Sequence, residues 1–590
     1  MTPIAQVPHA ILTCFHTSEE ALGEHPWLYE DTHAWTLTEI REEAQALAIA
    51  LQHQWHLQAG DRVALCLSNQ KSWWVSFYAL RLLGVVAVPM NLQLGITGMM
   101  YVLGHAQVQG VLAEAPLLQQ LLSQPAMGAA GHPTGHTVGQ ALVASGGFPY
   151  RVGVFVEVVS EALQEALSPL GENITFYLKD KKAQTTEALT ARLEAIAQRE
   201  APSKEDIAVI LYTSGSTGTP KGVPLSEYNL LHNMAGFSAQ LGLDAPDEPE
   251  PWMLLALPLF HSFGFMCGLY ALSMKARVVL VPKFSPKAIL QALHTHPITV
   301  LPLVPTFFSL LLDAGKALLK APNTKPFPHL NYCISGGAAL PVRLLDTVEQ
   351  QLGVVVLEGY GLTETSPVLA VNTPKRGRVP HAVGQILPNV ALRLEPLAGS
   401  GSTEQEACTD ACATWYYQPN VQEASPFEGQ IVVKGPNLMA GYLDDPVATE
   451  QAFTQDGWFK TGDIGRVDAE GNLYISGGRI KDLIIKAGEN IAPMVIEHAL
   501  AHCESIAEVA VIGEPHVKLG ESIVAYVVRH EKDTEPSDEA CLSAVKQMAK
   551  HTLPALYQPD RYEVLETLPK TATGKIDKQA LRQRVTLVKA

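Results

Sequence analysis

Short apolar segments that run into glycine- or proline-rich turns recur along this chain, and they constrain the fold more than any other feature. The segments "VVAVPMN" (85–91), "ITVLPLVP" (298–305) and "VVVLEGYG" (354–361) are typical of buried strands. Between such strands lie segments with apolar residues at helical spacing, such as "TLTEIREEAQALAIALQHQ" (36–54), which opens on a threonine suited to cap a helix, and "KSWWVSFYALRLLG" (71–84). This alternation predicts an α/β fold with parallel sheets covered by helices. In such folds, ligand sites gather at the carboxyl ends of the strands.

The length of 590 residues is too great for a single core, so more than one domain is expected. We predict a large N-terminal domain over residues 1–480, with a small β subdomain at about 385–478 where short strands alternate with tight turns. A small, mobile α+β C-terminal domain is predicted for residues 481–590. Residues 125–150 resemble a variable loop and residues 398–428 a polar insertion, and neither is assigned any chemistry.

Charge and cysteine usage exclude several classes of protein. The net charge of −17 argues against nucleic acid as a partner and disfavours tight binding to anionic lipid, although a local basic patch would still allow peripheral membrane contact. Eight scattered cysteines suit a reducing compartment, and the N-terminus lacks the basic start and apolar core of a signal peptide, so a cytoplasmic protein is predicted. The pair Cys408 and Cys412 has no second pair or histidine nearby, and we interpret it as incidental rather than as zinc ligands.

One uncharged stretch, from Trp252 to Met274, is long enough to cross a bilayer. Pro258 and His261 lie within it, and glycines interrupt it further along. These residues favour a buried strand, a sharp turn and a buried helix over a membrane span. No transmembrane segment is therefore predicted.

The segment "YTSGSTGTPKG" (212–222) follows a strand-like run and predicts a phosphate-binding loop. A Walker loop needs a serine or threonine directly after its lysine, whereas Gly222 follows Lys221 here, and Pro220 lacks the N–H that a phosphate cradle uses. The loop therefore has a different design, in which hydroxyls donate and glycines let the backbone approach an anion. These residues are Ser214, Gly215, Ser216, Thr217, Gly218 and Thr219.

Seven motifs occur along the chain in an order that resembles the adenylate-forming superfamily of acyl-CoA synthetases, peptide-synthetase adenylation domains and luciferases. The resemblance runs from about residue 35 to the end, outside the two variable regions. It implies that a carboxylate attacks the α-phosphate of ATP to give an acyl-adenylate and pyrophosphate. Because two anions must approach each other, such a site has to supply positive charge and fixed donors. The motifs are "YTSGSTGTPKG", "LPLFHSFG", "SGGAAL", "GYGLTE", "TGD", "GRIKDLIIKAGENIAP" and "PKTATGK".

The same resemblance implies an ATP site made of residues far apart in the sequence. Glu364, with Thr217, would hold a Mg²⁺ ion that bridges the phosphates. Thr363 would donate to the α-phosphate, Asp463 would accept both ribose hydroxyls, and Arg479 would be a second nucleotide contact. The β- and γ-phosphates would be held by Thr213, Ser214, Gly215, Ser216, Thr217, Gly218 and Lys221. The adenine site would be formed by Tyr360 and Gly361 on one side and by Gly336, Gly337 and Ala338 on the other.

Three lysines near the C-terminus carry the remaining chemistry that the resemblance implies. Lys575 of "PKTATGK" would reach into the cleft and bind both the acyl carboxylate and the α-phosphate region. Lys481 falls at the superfamily's hinge, and rotation there would withdraw Lys575 after the first step. The segment containing Lys486, Gly488 and Glu489 would then lie near the path by which the thiol arrives.

The acyl substrate is predicted from the residues around "LPLFHSFG". His261 falls where the superfamily lines and gates its acyl pocket, and Phe263, Phe265 and "LVPTFFSLLL" (303–312) would add apolar walls. Amino-acid-activating relatives carry an aspartate here, and its absence argues against an amino acid substrate. We therefore predict a medium- or long-chain fatty acid, or another apolar carboxylic acid.

The sequence leaves alternatives open for the molecule that accepts the acyl group and for the class of protein. Coenzyme A is the commonest acceptor in this branch of the superfamily, and an acyl carrier protein is the runner-up. Three other classes are rivals: a P-loop kinase or ATPase, a catalytically silent nucleotide- or acyl-binding protein, and a light-emitting oxygenase. Lys221, Glu364, Asp463, Arg479 and Lys575 are all present, which argues against a silent protein.

Overall fold

The computed structural model describes most of the chain, and the following account is restricted to those residues. They are residues 10–91, 94–123, 125–127, 133–137, 150–156, 174–178, 202–213, 220–243, 251–316, 325–397, 415–417, 423–479, 482–486, 489–516, 519–529, 537–570 and 576–588.

Helices begin and end in these residues where the local sequence predicts. The Thr36 hydroxyl accepts a hydrogen bond from the backbone N–H of Glu39, whose carboxylate accepts one in return, so a capping box opens the second helix. Gly84, with φ of 68°, ends the third helix in the left-handed conformation. The helices are α1 (Ile11–Leu22), α2 (Leu37–Trp55), α3 (Lys71–Leu83), α4 (Gly95–His105), α5 (Ala115–Ser123), α6 (Glu227–Leu241), α7 (Ser262–Ser273), α8 (Pro286–Thr295), α9 (Pro305–Gly315), α10 (Val342–Leu352), α11 (Pro446–Ala452), α12 (Pro493–Leu500), α13 (Asp538–Thr552) and α14 (Lys578–Val588).

The strands follow the apolar segments noted above. They are β1 (Leu28–Glu30), β2 (His33–Trp35), β3 (Arg62–Cys66), β4 (Val86–Pro89), β5 (Gly110–Glu114), β6 (Pro125–Met127), β7 (Pro133–Thr137), β8 (Arg151–Val156), β9 (Ile174–Leu178), β10 (Ile207–Thr213), β11 (Lys221–Ser226), β12 (Trp252–Leu255), β13 (Arg277–Leu280), β14 (Val300–Leu303), β15 (Tyr332–Ser335), β16 (Val355–Gly361), β17 (Val368–Val371), β18 (Gly384–Ile386), β19 (Ala391–Glu395), β20 (Trp415–Tyr416), β21 (Gly429–Lys434), β22 (Phe459–Val467), β23 (Asn472–Arg479), β24 (Ile484–Lys486), β25 (Glu489–Ile491), β26 (Ile506–His516), β27 (Gly520–Arg529) and β28 (Arg561–Leu565).

Two large sheets organise the N-terminal part of the chain. A seven-stranded sheet has the order β11-β10-β4-β3-β5-β8-β9 and is parallel except for the β10–β11 hairpin. A fourteen-stranded sheet has the order β2-β1-β13-β12-β14-β15-β16-β17-β18-β23-β22-β21-β19-β20. It is parallel from β1 to β16 and antiparallel from β16 to β20. The predicted α/β class is confirmed. The antiparallel strands of the β subdomain extend the parallel sheet instead of forming a separate one.

The main hydrophobic core lies between these two sheets. Side chains from one face of each sheet pack there together with α1, α2, α3, α6 and α7. Every residue of α3 is buried, because this helix is apolar on nearly all sides. Its one arginine, Arg81, is 1% exposed and pairs with Asp206 at 2.7 Å and Glu227 at 3.2 Å. Further clusters cover the outer faces, with α4 and α5 on the smaller sheet and α8, α9 and α10 on the larger one.

The uncharged stretch from Trp252 to Met274 forms a strand, a turn and a helix, as predicted. It gives β12 and α7, and both are buried in the core. No helix within the described residues combines the length and the apolarity that crossing a membrane requires.

The two variable regions are only partly described. Within residues 125–150, predicted as a loop, β6 and β7 form a short antiparallel hairpin. The glycine- and alanine-rich composition there gave little strand signal, because strand propensity rests on β-branched and aromatic residues. Within residues 398–428, β20 pairs with β19, and residues 398–414 and 418–422 lie outside the described residues.

A separate sheet forms the C-terminal unit. Its strands have the order β25-β24-β27-β26. Strand β28 pairs in parallel with β27, on the edge of β27 that does not pair with β26. The apolar side chains of α12 and α13 pack against one face, and α14 packs against the other. The mixture of helices and a mostly antiparallel sheet matches the α+β character predicted for this end of the chain.

Candidate active site

The nucleotide site is centred on the point where the large sheet changes from parallel to antiparallel. Strand β16 ends there in Gly359, Tyr360 and Gly361. Tyr360 Oη donates a hydrogen bond to Asp463 Oδ2 at 2.6 Å, and Asp463 on β22 is 7% exposed. A Cβ atom at Gly361 would lie 1.8 Å from the carbonyl oxygen of Pro367, so only glycine fits there. Two residues predicted to contact adenine and ribose are thus in direct contact.

A 3₁₀ turn, Thr363–Thr365, follows directly and carries the predicted phosphate and metal ligands. The Thr363 hydroxyl lies 3.2 Å from the hydroxyl of Ser262 at the start of α7. Glu364 Oε1 accepts a hydrogen bond from Tyr442 Oη at 2.8 Å. Sequence reasoning missed Tyr442, because its segment, "GPNLMAGYL" (435–443), lies in the β subdomain that is predicted only as short strands and tight turns.

Lys221 lies at the start of β11, directly after the predicted phosphate loop. Its Nζ atom is 4.9 Å from the ring centroid of Tyr442 and 4.0 Å from Asp445 Oδ2. Thr213 faces Lys221 across the β10–β11 ladder, so the two chain ends that flank residues 214–219 are neighbours. Thr213 and Lys221 are therefore neighbours, and Tyr442 connects Lys221 to the Glu364 side of the site.

Helix α4 supports both of these chain ends. His105 Nδ1 lies 2.8 Å from Tyr212 Oη, and Tyr101 Oη donates to the carbonyl oxygen of Pro220 at 3.3 Å. The Tyr101 and His105 rings stack with centroids 5.5 Å apart. Burial raises the pKa of Tyr212 well above its usual value, which keeps this hydroxyl protonated as a donor. Sequence reasoning did not find this support, since no local pattern links α4 to β10.

His261 caps the N-terminus of α7 and directly precedes Ser262, whose hydroxyl lies close to that of Thr363. Its Nδ1 atom accepts a hydrogen bond from the backbone N–H of Phe263 at 3.3 Å. The Phe263 ring would lie 3.3 Å from a Cβ atom at Gly336, so this glycine lets the ring approach β15 closely. Phe265 is 1% exposed and packs against the rings of Trp73 and Phe77 in the core. Its side chain points away from that of Phe263 because the two residues are two positions apart on a helix.

The turn before His261 is fixed by Asn69, another residue that sequence reasoning missed. Its amide nitrogen donates to the carbonyl oxygen of Leu257 at 2.7 Å, and its amide oxygen accepts from the backbone N–H of Leu259 at 3.0 Å. Asn69 is buried, so both hydrogen bonds are shielded from water. The only sequence signal was a polar residue three positions after the end of strand β3.

The remaining wall residues lie after β15. Gly336 is buried, Gly337 has φ of 82°, and Ala338 is exposed. A positive φ at Gly337 is a conformation that glycine adopts without strain. The Ser335 hydroxyl, 2% exposed, has no hydrogen-bond partner among the described residues.

Glu358 gives this region a pH-dependent charge. It precedes the Gly-Tyr-Gly turn, and burial raises its pKa to about 7, with Arg378 acting in the opposite direction and Glu349 adding to the rise. Between about pH 4.5 and pH 7 the folded protein therefore binds this proton more tightly than the unfolded chain does. The free energy of unfolding should fall as pH rises through this window.

Replacing Glu358 with glutamine should remove that dependence. Since one pKa unit corresponds to about 1.4 kcal/mol, the variant should be more stable than wild type at about pH 8 by on the order of 3 kcal/mol, and the gain should shrink toward zero near pH 4.5. Thermal midpoints of both proteins across this range measure the effect. The exposed Glu450→Gln control should show no such trend, and an unchanged midpoint difference across the range would contradict the raised pKa.

Several predicted site residues are not placed by the structure. The Arg479 main chain pairs with Asp463 in the β22–β23 register, but its side chain lies outside the described residues. Lys486 is placed: its ammonium is 2.9 Å from Asp560 in an ion pair inside the C-terminal unit, and its side chain is 8% exposed. The predicted residues that lie outside the description are Ser214, Gly215, Ser216, Thr217, Gly218, Lys481, Gly488 and Lys575.

The donor set fits a nucleotide that brings its own metal ion. Among the described residues, no cluster of three or more histidine, cysteine, aspartate or glutamate side chains could hold a metal alone. The Glu364 carboxylate is an oxygen ligand of the kind that Mg²⁺ prefers, and Mg²⁺ usually takes its other ligands from phosphates and water. The Lys221 ammonium is a cation of the kind that pairs with phosphate oxygens.

The fold and this site together define the class of adenylate-forming enzymes. The sequence profile of the AMP-binding enzyme family matches residues 15–443, and that of the AMP-binding enzyme C-terminal domain matches residues 495–575. The chain belongs to the AMP-binding enzyme family.

Its relatives include CoA ligases for different acids. The long-chain-fatty-acid–CoA ligase of Bacillus subtilis is 31% identical over 557 residues, which cover 93% of this chain and 90% of that protein. The 2-succinylbenzoate–CoA ligase of Enterococcus faecalis is 28% identical over 578 residues, which cover 96% and 97% of the two chains. The ATP-bound structure of MatB from Rhodopseudomonas palustris is similar with a TM-score of 0.72 and 27% identity, covering 97% of this chain and 98% of that one. These likenesses support an acid–thiol ligase.

Proposed function

We propose that this protein activates an apolar carboxylic acid, a medium- or long-chain fatty acid, with ATP and transfers the acyl group to coenzyme A. The observation that carries this proposal is the hydrogen bond between Tyr360 and Asp463, beside the turn that bears Thr363 and Glu364. It joins two distant motifs at the carboxyl end of a parallel strand, where α/β folds bind nucleotides.

In the first step, a carboxylate oxygen of the acid forms a bond to the α-phosphorus of ATP, and the bond to the β-phosphate oxygen breaks. Pyrophosphate leaves, and Lys221 and the loop before it hold its negative charge. Asp463 and Tyr360 hold the ribose and adenine, and Thr363 donates to the α-phosphate. Lys575 offsets the repulsion between the two anions as they meet. Glu364 and Thr217 would hold the Mg²⁺ ion that accompanies the nucleotide, and the ion would neutralise phosphate charge.

In the second step, the sulfur of coenzyme A attacks the acyl carbonyl carbon, the thiol loses its proton, and AMP leaves. Rotation about Lys481 exchanges Lys575 for the face of the C-terminal domain that carries Lys486, Gly488 and Glu489. The ion pair of Lys486 with Asp560 supports a role in holding this face together near the thiol.

The choice of a fatty acid rests on the apolar side chains of the predicted acyl-pocket segments. Phe263, two residues after His261, faces Gly336, and Phe307, within the predicted wall segment 303–312, stacks on Phe284 with ring centroids 3.6 Å apart. The Bacillus subtilis relative is a ligase for long-chain fatty acids. Because each buried CH₂ group contributes about 0.8 kcal/mol, an apolar pocket can discriminate between chain lengths.

Pyrophosphate release across a panel of carboxylic acids, with and without coenzyme A, tests the proposal. We expect AMP and pyrophosphate as products, and a rate that rises from acetate toward medium- and long-chain acids. Succinylbenzoate should be a poor substrate, and replacing coenzyme A by an acyl carrier protein tests the alternative acceptor. Formation of ADP, or the absence of turnover with every acid, would contradict the proposal.

A further inference from the structure

A segment of the β subdomain joins the two sides of the nucleotide site. We call residues 437–445, between β21 and α11, the bridging segment. It contacts the Thr363–Thr365 turn on one side and β11, with Lys221, on the other.

The first half of the bridging segment holds the turn that carries Glu364. The amide nitrogen of Asn437, a fully buried residue, donates to the carbonyl oxygen of Thr365 at 2.8 Å. The backbone N–H of Met439 donates to the carbonyl oxygen of Glu364 at 2.9 Å. Tyr442 then donates its hydroxyl to the Glu364 carboxylate. The main chain and the side chain of Glu364 are therefore both fixed by the same segment.

The second half of the bridging segment holds the strand that carries Lys221. The backbone N–H of Leu443 donates to the carbonyl oxygen of Gly222 at 2.9 Å. A Cβ atom at Gly222 would lie 3.1 Å from that of Leu443, so the two chains are in close contact. The Lys221 ammonium lies over the Tyr442 ring, within the range of a cation–π interaction, and Asp445 Oδ2 lies 4.0 Å from the same ammonium.

We propose that Tyr442 is a positioning residue for the metal-bound nucleotide, a role that rests on the proposed function. Its hydroxyl orients the Glu364 carboxylate toward the metal, and its ring orients the Lys221 ammonium toward the phosphates. A neutral side chain can hold an anion and a cation at once without cancelling the charge of either. The two parts of the tyrosine therefore have separable effects.

Two substitutions separate the hydroxyl from the ring. Tyr442→Phe keeps the ring for Lys221 but removes the hydrogen bond to Glu364, and Tyr442→Leu removes both. Affinities for ATP with magnesium and for ATP with excess chelator are measured by calorimetry in the absence of any acid. Because a hydrogen bond to a charged group contributes about tenfold or more to an equilibrium constant, Tyr442→Phe should lose about tenfold in affinity with magnesium. It should keep its affinity without magnesium, whereas Tyr442→Leu should lose affinity under both conditions.

Tyr474→Phe is the matched control, because Tyr474 Oη donates to the carboxylate of Asp468 at 3.0 Å in the same β subdomain. This control should bind both forms of ATP as wild type does, and thermal midpoints establish that each variant is folded. Wild-type affinities in Tyr442→Phe under both conditions would overturn the positioning role alone. A wild-type protein that binds no ATP would overturn the proposed function together with this role.

Discussion

Replacing Lys575 with alanine is expected to lower the rate of acyl-adenylate formation by about 10²- to 10³-fold, which is the usual loss when one preorganised charge-stabilising donor is removed from an active site. The physical reason is that Lys575 is the predicted cation at the point where the acyl carboxylate meets the α-phosphate. Thioester formation from a supplied acyl-adenylate should change little, because that step follows after the lysine has been withdrawn. Pyrophosphate exchange measures the first half-reaction, and thioester release from synthetic acyl-adenylate measures the second.

Lys550→Ala provides the control, since it removes an exposed lysine of α13, in the same C-terminal unit but outside the "PKTATGK" motif. Substitutions at exposed positions usually change stability little. Both half-reactions should stay close to the wild-type rates in this variant. An adenylation rate in Lys575→Ala that is within tenfold of the wild-type rate would contradict the catalytic role of that lysine.

Replacing Lys481 with proline is expected to slow thioester formation and to spare adenylation, which is the reverse of the effect expected for Lys575→Ala. Proline fixes its own φ angle and restricts the preceding residue, so it disfavours one of two backbone conformations at a hinge. A penalty of about 3 kcal/mol, typical for proline in a conformation that it does not fit, corresponds to about 10²-fold in the population of that conformation. Thioester formation should therefore fall by about this factor, while adenylation is spared.

The same two half-reaction assays measure this variant, and Lys481→Ala is its control. Alanine removes the lysine side chain but leaves the backbone free to rotate, so both half-reactions should continue. Equal loss of both half-reactions in Lys481→Pro would argue against a hinge at this residue. Together with Lys575→Ala, the variant forms a pair in which each protein should retain the step that the other loses.

The parts of the fold that sequence predicted are those that local patterns specify. Trp252 to Met274 formed a strand and a buried helix because Pro258 and His261 fall at the turn between the two, where His261 caps the helix. Helix α2 is capped by Thr36 and helix α3 ends at Gly84, where short-range hydrogen bonds and backbone sterics favour a helix start and a helix end. Periodicity and capping act over a few residues, so a single sequence contains enough information to find them.

The contacts that complete the site depend on pairings over long distances. Tyr442 meets Glu364 across 78 positions, and Asn69 meets Leu257 across 188. Neither pairing leaves a periodic or spacing signal in the sequence. The resemblance implied that Tyr360 and Asp463 contact the nucleotide. It did not indicate that the two side chains contact each other. The continuity of the large sheet was missed for the same reason, since strand pairing between β16 and β17 and onward is a property of the folded chain.

That continuity decides where the protein can be divided. Because backbone hydrogen bonds run without a break from β16 through β17 to β23, cutting the chain at the start of the β subdomain would expose a row of unpaired N–H and C=O groups along β17. Such an edge favours self-association. The C-terminal sheet shares no strand with the larger one, so a cut between the two sheets leaves no unpaired strand edge on the larger sheet.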